Sequence, residues 1–147
     1  MAEFLETTYD KFIFTVKIGY LYTDDDYWVD IRGAVATVGV TDYLQKSNGD
    51  LAFVEPAAVG KSVERGEELG EIETIKVTLN LISPVTGRVS EVNRELEAHP
   101  ELVNSDPYGA GWICRIELAD HEGARNGLLQ AEAYMELMKG KIERGAG

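Results

Sequence analysis

From Trp28 to Leu118 the chain is a succession of short alternating or β-branched segments, separated at nearly regular intervals by glycine and proline. That punctuation predicts many short strands, and with them a β-sandwich or barrel. Residues 27–31 and 34–40 read as two strands around an Arg32-Gly33 turn, and residues 51–54 as another strand ended by Pro56. Gly60, Gly66 and Gly70 then separate segments carrying Val63, Leu69 and Ile72, and residues 88–93 alternate again after a turn over 83–87. Residues 54–63 and 82–92 share a proline, a glycine, a basic residue and alternating valines, which suggests two similar halves.

The flanks add to this frame. Residues 11–18 read as a strand, and residues 22–26 as a polar break in which Asp24-Asp25-Asp26 is a solvated turn. Thr41 is a candidate N-cap for a short helix over 42–46, stopped by Asn48-Gly49. Residues 100–111 read as a loop. From 126 to 141 the period changes: Leu129, Ala133, Leu137 and Met138 recur at helical spacing, so an amphipathic helix lies on the sandwich, with residues 143–147 frayed.

A chain of 147 residues supports one domain with a real core. Its net charge of −12 opposes binding to nucleic-acid phosphates and suits transient docking on basic patches of partner proteins. Cys114 is the only cysteine, so neither an internal disulfide nor a thiolate metal cluster can form. Residues 112–118 alternate with Trp112, Cys114, Ile116 and Leu118 on one face, which makes Cys114 a core residue. The first residues lack the basic and apolar regions of a secretory signal, and no apolar run reaches membrane-spanning length. A cytoplasmic protein is therefore expected. No catalytic or metal-ligating constellation is present, and His99 and His121 fall in surface loops.

Lys76 is the odd residue. Of the seven lysines it alone sits within a long apolar-rich run, residues 72–82. Pattern alone makes 71–82 one strand, with Ile75, Val77, Leu79 and Leu81 on one face and Lys76 pointing to solvent. No Gly, Asn, Asp or Pro between Glu71 and Leu79 asks for a turn.

Four stretches change the weight of that lysine: residues 35–43 (VATVGVTDY), 49–55 (GDLAFVE), 72–76 (IETIK) and 100–112 (PELVNSDPYGAGW). Together they resemble the H-protein family of the glycine cleavage system, lipoyl carriers with a β-sandwich core. The resemblance implies a lipoyl-type β-sandwich (a barrel-sandwich hybrid) over about 28–118, with a short internal helix and the C-terminal helix over about 126–141. It places Lys76 at the tip of a β-hairpin, amide-linked to lipoic acid as a swinging arm, with Glu73 at the acidic position favoured by the lipoyl-attaching enzyme. Biotin carriers share the architecture, but their lysine is flanked by methionines, and here the neighbours are Ile75 and Val77.

The cargo is read from departures. Family members that carry methylamine between glycine decarboxylase and aminomethyltransferase have His-Glu-Trp before the first core strand, and Ala or Ser after the lysine. This chain has Asp26-Tyr27-Trp28 and Val77-Thr78-Leu79-Asn80. The N-terminal residues 3–12 and the run 73–77 (ETIKV) resemble instead the lipoate-binding proteins of heterodisulfide-reductase-like sulfur oxidation. The partners there are a heterodisulfide-reductase-like complex and sulfur-transfer proteins, and the dihydrolipoyl thiols hold sulfur. That role is the one favoured from sequence. Glycine cleavage is the alternative within the family. An unmodified interaction module, using residues 100–112 as a contact surface, is the alternative outside it; those residues equally suit a structural corner with Trp112 in the core.

Overall fold

A computed structural model describes residues 3–146. The chain opens with a hairpin of β1 (Phe4–Tyr9) and β2 (Phe12–Lys17), followed by β3 (Leu21–Tyr22), β4 (Tyr27–Arg32) and β5 (Val35–Val40). A short helix, α1 (Asp42–Asn48), leads to β6 (Leu51–Pro56), β7 (Ser62–Val63), β8 (Glu68–Thr74), β9 (Thr78–Ile82) and β10 (Gly87–Val92). One-turn helices α2 (Glu95–Ala98) and α3 (Leu102–Ser105) precede β11 (Cys114–Leu118) and the C-terminal helix α4 (Ala131–Ala146). A six-stranded sheet runs β3-β4-β5-β11-β10-β7, a three-stranded sheet runs β6-β8-β9, and β1-β2 stand apart.

The two larger sheets form the expected sandwich, because alternate residues of each turn inward. Val29, Val38 and Ile116 from one sheet, and Val54, Ile72 and Leu81 from the other, meet in a single buried cluster. The two similar segments take matching places. β6 and β9 flank β8 in one sheet, and each is followed by a strand, β7 or β10, in the other, where that pair is adjacent. Cys114 is buried in β11, and burial pushes its thiol up to about 12, which leaves it an unreactive core residue. None of the described helices is long and apolar enough to cross a membrane.

β4 is buried on both faces. Tyr27, Val29 and Ile31 enter the sandwich, while Trp28 enters a second cluster with Phe14, Val16, Tyr22, Tyr108, Tyr134 and Met138. The indole of Trp28 donates to Pro107 O at 2.9 Å and stacks on Tyr20 at 4.6 Å between ring centroids. Gly39 on the paired strand leaves the room: a Cβ there would lie 2.5 Å from the Trp28 ring.

Several expectations are corrected by this second cluster. The N-terminal segment is two strands, since residues 4–9 pair with 12–17 across a turn in which Asp10 takes φ 55°. The C-terminal helix begins at Ala131, not 126, because Leu129 and Tyr22 exchange backbone hydrogen bonds, both at 2.8 Å, that hold the chain extended there. It runs on to Ala146 through residues expected to fray, Gly147 lying outside the described residues, and Ile142 packs against the cluster. Its buried stripe is Ala131, Tyr134, Met135 and Met138; Ala133 is exposed, because the larger Tyr134 and Met135 side chains bury more apolar surface.

Asp26 is not part of a solvated turn. Its carboxylate is buried and accepts from Tyr134 Oη at 2.8 Å and Lys141 Nζ at 2.9 Å, both on α4. Residues 100–111 are not simply a loop. They contain α3 and bury Val103 and Tyr108, so they form a structural corner. Trp112 is only half-buried, under the Arg115 guanidinium at 4.0 Å, so the core tryptophan is Trp28.

Gly39→Ala tests the fit of that indole. Overpacking here is expected to cost about 1–3 kcal/mol, read as a lower urea midpoint with an unchanged slope.

Candidate functional site

The apolar run around Lys76 is not one strand. β8 and β9 pair antiparallel as far as Glu73 and Thr78, and the chain reverses between them. Thr74 makes the reversal. Its backbone N–H donates to Val77 O at 2.9 Å, and its hydroxyl donates to the same oxygen at 3.0 Å. That hydroxyl also accepts from the N–H groups of Lys76 at 3.2 Å and Val77 at 3.1 Å. A threonine closing a turn through its own side chain is a weaker sequence signal than glycine or asparagine, so pattern reading passes over it. The alternation is therefore misleading: Ile75 is 71% exposed and Val77 44%, while Leu81 alone of the supposed apolar face is buried.

The hairpin tip rests on the end of α1. Thr41 caps this helix by accepting from Leu44 N at 3.2 Å, and Gly49 ends it at φ 81°, as the sequence predicts. Ile75 N–H donates to Asp50 O at 3.1 Å, and the Ile75 side chain lies over Gly49, where a Cβ would sit 3.0 Å from it. The Lys76 amine reaches across to Ser47 O at 3.1 Å.

Lys46, Lys139 and Lys141 each pair with a carboxylate. Lys61 and Lys76 instead each reach a backbone carbonyl, and Lys76 differs from Lys61 by its place on a hairpin tip. It stands exposed on a braced tip, with its amine held by a single carbonyl of a helix end. Converting that amine to an amide removes a charge without stranding a buried carboxylate, so the residues present suit a covalently attached acyl group. Glu73 is exposed on the last paired position before the tip, opposite Thr78. A recess of about 310 Å³ lies at the other end of β9, walled by Ile82, Ser83, Pro84 and Arg65. The rise of a strand puts it roughly 20 Å from Lys76, so the lysine presents its amine in the open.

Neither histidine joins the site: His99 faces Glu101 at 3.0 Å, and both His99 and His121 are exposed. Asp26 is instead committed to α4. Thr41 Oγ1 lies 2.9 Å from the Tyr134 hydroxyl that serves Asp26, so the cap of α1, the Asp26 carboxylate and α4 form one buried network. Its neighbour Tyr27 donates from the phenol to Asn80 O at 2.8 Å, tying β4 to the arm of the hairpin. Sequence reasoning missed both roles, because they need partners 53 and 108 residues away.

Thr74→Val leaves two tip N–H groups without their acceptor. It is expected to cost roughly 1–3 kcal/mol and to speed amide exchange at Lys76 and Val77, while Thr74→Ser keeps both properties near wild type. Asp26 gives a pH signature. Burial raises its carboxyl above the ordinary 3.8 despite Tyr134 and Lys141. The folded state then holds that proton more tightly than the unfolded chain, so this group's contribution falls as pH rises from 3.8 through the raised value. Urea melts across that range should show the stability of wild type, relative to Asp26→Asn, declining with pH.

Comparison with known proteins identifies the family. Residues 20–141 match the family model described as Glycine cleavage H-protein. A glycine cleavage system H protein of Bacteroides thetaiotaomicron is 44% identical, over 81% of this chain and 94% of that protein. One from Beutenbergia cavernae is 47% identical, over 82% and 94%. A crystal structure of a glycine cleavage system H protein from Mycobacterium marinum superposes with a TM-score of 0.74 at 35% identity, covering 82% of this chain and 97% of that one. In sequence and in fold, the chain belongs to the glycine cleavage H-protein family, carriers of covalently attached lipoic acid.

Proposed function

We propose that Lys76 is the attachment point, and that the protein serves as the lipoyl carrier of a glycine cleavage system. The observation that carries this reading is the position of the Lys76 amine: exposed at the tip of a hairpin that Thr74 closes and α1 supports. A rigid base and a free end are what an arm needs to visit other proteins' active sites. Bound there, the lipoyl group supplies a ring disulfide that opens by thiol–disulfide exchange to a pair of thiols.

This chain's own residues position the arm and present it. For acylation the Lys76 amine gives up a proton and its bond to Ser47 O, while Thr74 keeps the backbone of the tip in place. Glu73, exposed beside the tip, offers the lipoyl-attaching enzyme an acidic mark at a fixed distance from the amine.

The glycine reading comes first because the relatives that match over most of this chain are named glycine cleavage system H proteins. Sulfur carriage, which short motifs favoured, finds no support among them. One observation keeps it as a second reading. The Asp26 that stands where methylamine carriers have histidine is locked to Tyr134 and Lys141, so it is not available to a group stored on the arm.

With a lipoyl ligase and lipoate, the intact mass is expected to rise by one lipoyl group in wild type and not at all in Lys76→Arg. Lipoylated protein incubated with glycine decarboxylase and glycine should then gain methylamine. A wild-type mass that never shifts would leave an unmodified interaction module; lipoylation without methylamine loading would favour the sulfur-carrying role.

A further inference from the structure

The hairpin β1-β2 lies outside residues 20–141, the part of the chain that matches the family. Its inner face has a structural role, since Phe14 and Val16 are buried in the aromatic cluster. Its tip is less enclosed, although the Phe12 ring still stacks on Phe14 at 5.8 Å between centroids. Phe12 is 48% exposed and Ile13 51%, with Tyr9 beside them at 43%.

The tip points toward the arm. β2 runs along α1, with Thr15 N–H donating to Asp42 at its start, Phe14 against Tyr43 one residue on, and Ile13 O accepting from Lys46 Nζ. The next residue, Ser47, is the one whose carbonyl receives the Lys76 amine. On the far side of that helix end, Ile75 lies over Gly49, with Val77 also exposed. Exposed apolar residues of the hairpin tip, Phe12 and Ile13 on its two faces, and of the arm's turn, Ile75 and Val77, thus both lie next to the end of a seven-residue helix whose Ser47 carbonyl receives the amine of the arm. Exposed acids, Asp10, Asp50 and Glu73, stand beside them.

We propose that this shoulder is the docking surface for the enzyme that loads the arm, with Phe12 and Ile13 as anchors added to the family's body. The proposal rests on the glycine-cleavage reading, so the occupant is glycine decarboxylase, presenting an apolar centre with a basic rim. Charge selects that occupant over a second copy of this chain: two acidic rims on chains of net charge −12 repel, whereas a basic rim is drawn in and oriented. Placing the anchors next to the root of the arm lets docking and delivery occur in one encounter.

The test is methylamine loading of the lipoylated protein by the glycine decarboxylase of its own organism, measured against carrier concentration. Phe12→Ser combined with Ile13→Ser is expected to raise KM about tenfold while kcat at saturation stays within about twofold. Lipoylation should stay at the wild-type value, and because the Phe12 ring stacks on Phe14 the melting midpoint is measured alongside. Phe12→Leu with Ile13→Val should restore a KM near wild type. If the double serine variant melts early, Ile13→Ser alone replaces it, since that side chain faces away from the core. An unchanged KM in the serine variant, with normal loading of wild type, overturns the shoulder and leaves the carrier reading intact. Wild-type holoprotein that takes up no methylamine overturns both.

Discussion

The carboxylate of Asp42 is the contact on which the rest of the molecule is hung. It is buried at the first turn of α1, where an unpartnered charge would be severely destabilising. Instead it accepts from Thr15 N–H at 3.0 Å, Gln45 Nε2 at 2.7 Å and Lys46 Nζ at 2.9 Å, close to the positive end of the helix. Those bonds fasten β2 to α1. The Tyr108 hydroxyl adds the corner at 100–112 by accepting from Asp42 N–H and donating to Thr15 O. Asn104 binds Gln45, Gly49 and Leu51 at the other end of the helix. A short helix thereby becomes rigid enough for the tip of a hairpin to lean on it.

That rigidity matters for a carrier. An arm samples its surroundings usefully only if its root is held in place, because each loose degree of freedom at the base dilutes the local concentration of the end. With Lys76 as the proposed attachment point, the root is held from two directions. Thr74 closes the turn from within, and α1 supports Ile75 and Lys76 from beside it. Behind α1 lies the aromatic cluster, which covers the outer face of β4 with α4 and the N-terminal hairpin. The fold thus consists of a β-sandwich that makes the hairpin and a second, aromatic layer that fixes where the hairpin stands.

Local chemistry made much of this legible. Gly and Pro spacing marked most of the strands of the sandwich, the Thr41 cap and Gly49 stop bounded α1, and alternation put Cys114 in the core. What failed did so for reasons of distance. Asp26 looked solvated because its partners, Tyr134 and Lys141, lie on the last helix. The stripe of α4 was read from Leu129, Ala133, Leu137 and Met138. Met138 is buried and Leu129 and Leu137 pack on the cluster, but Ala133 is exposed and Tyr134 and Met135 take its place, because helical period alone does not say which of several apolar faces meets a neighbour. β1 was overlooked because its pairing is settled by packing of Leu5 and Val16 on the aromatic cluster, with Asp10 alone marking the turn.

Lys76 shows the division most clearly. The sequence by itself determined that this lysine sits in an apolar run with Glu73 three residues before it, amid segments shared with a family of lipoyl carriers. It also determined the alternation that builds the sandwich, since side-chain direction in a strand follows from residue parity. Only the tertiary structure decided that the run folds back at Thr74, because the buried hydroxyl that closes the turn looks like any other strand threonine until its partners are known. Only the tertiary structure brought the end of α1, Gly49 and the added N-terminal hairpin to the same spot. Those contacts join residues far apart in the chain, and their stability comes from shared burial rather than from any local preference.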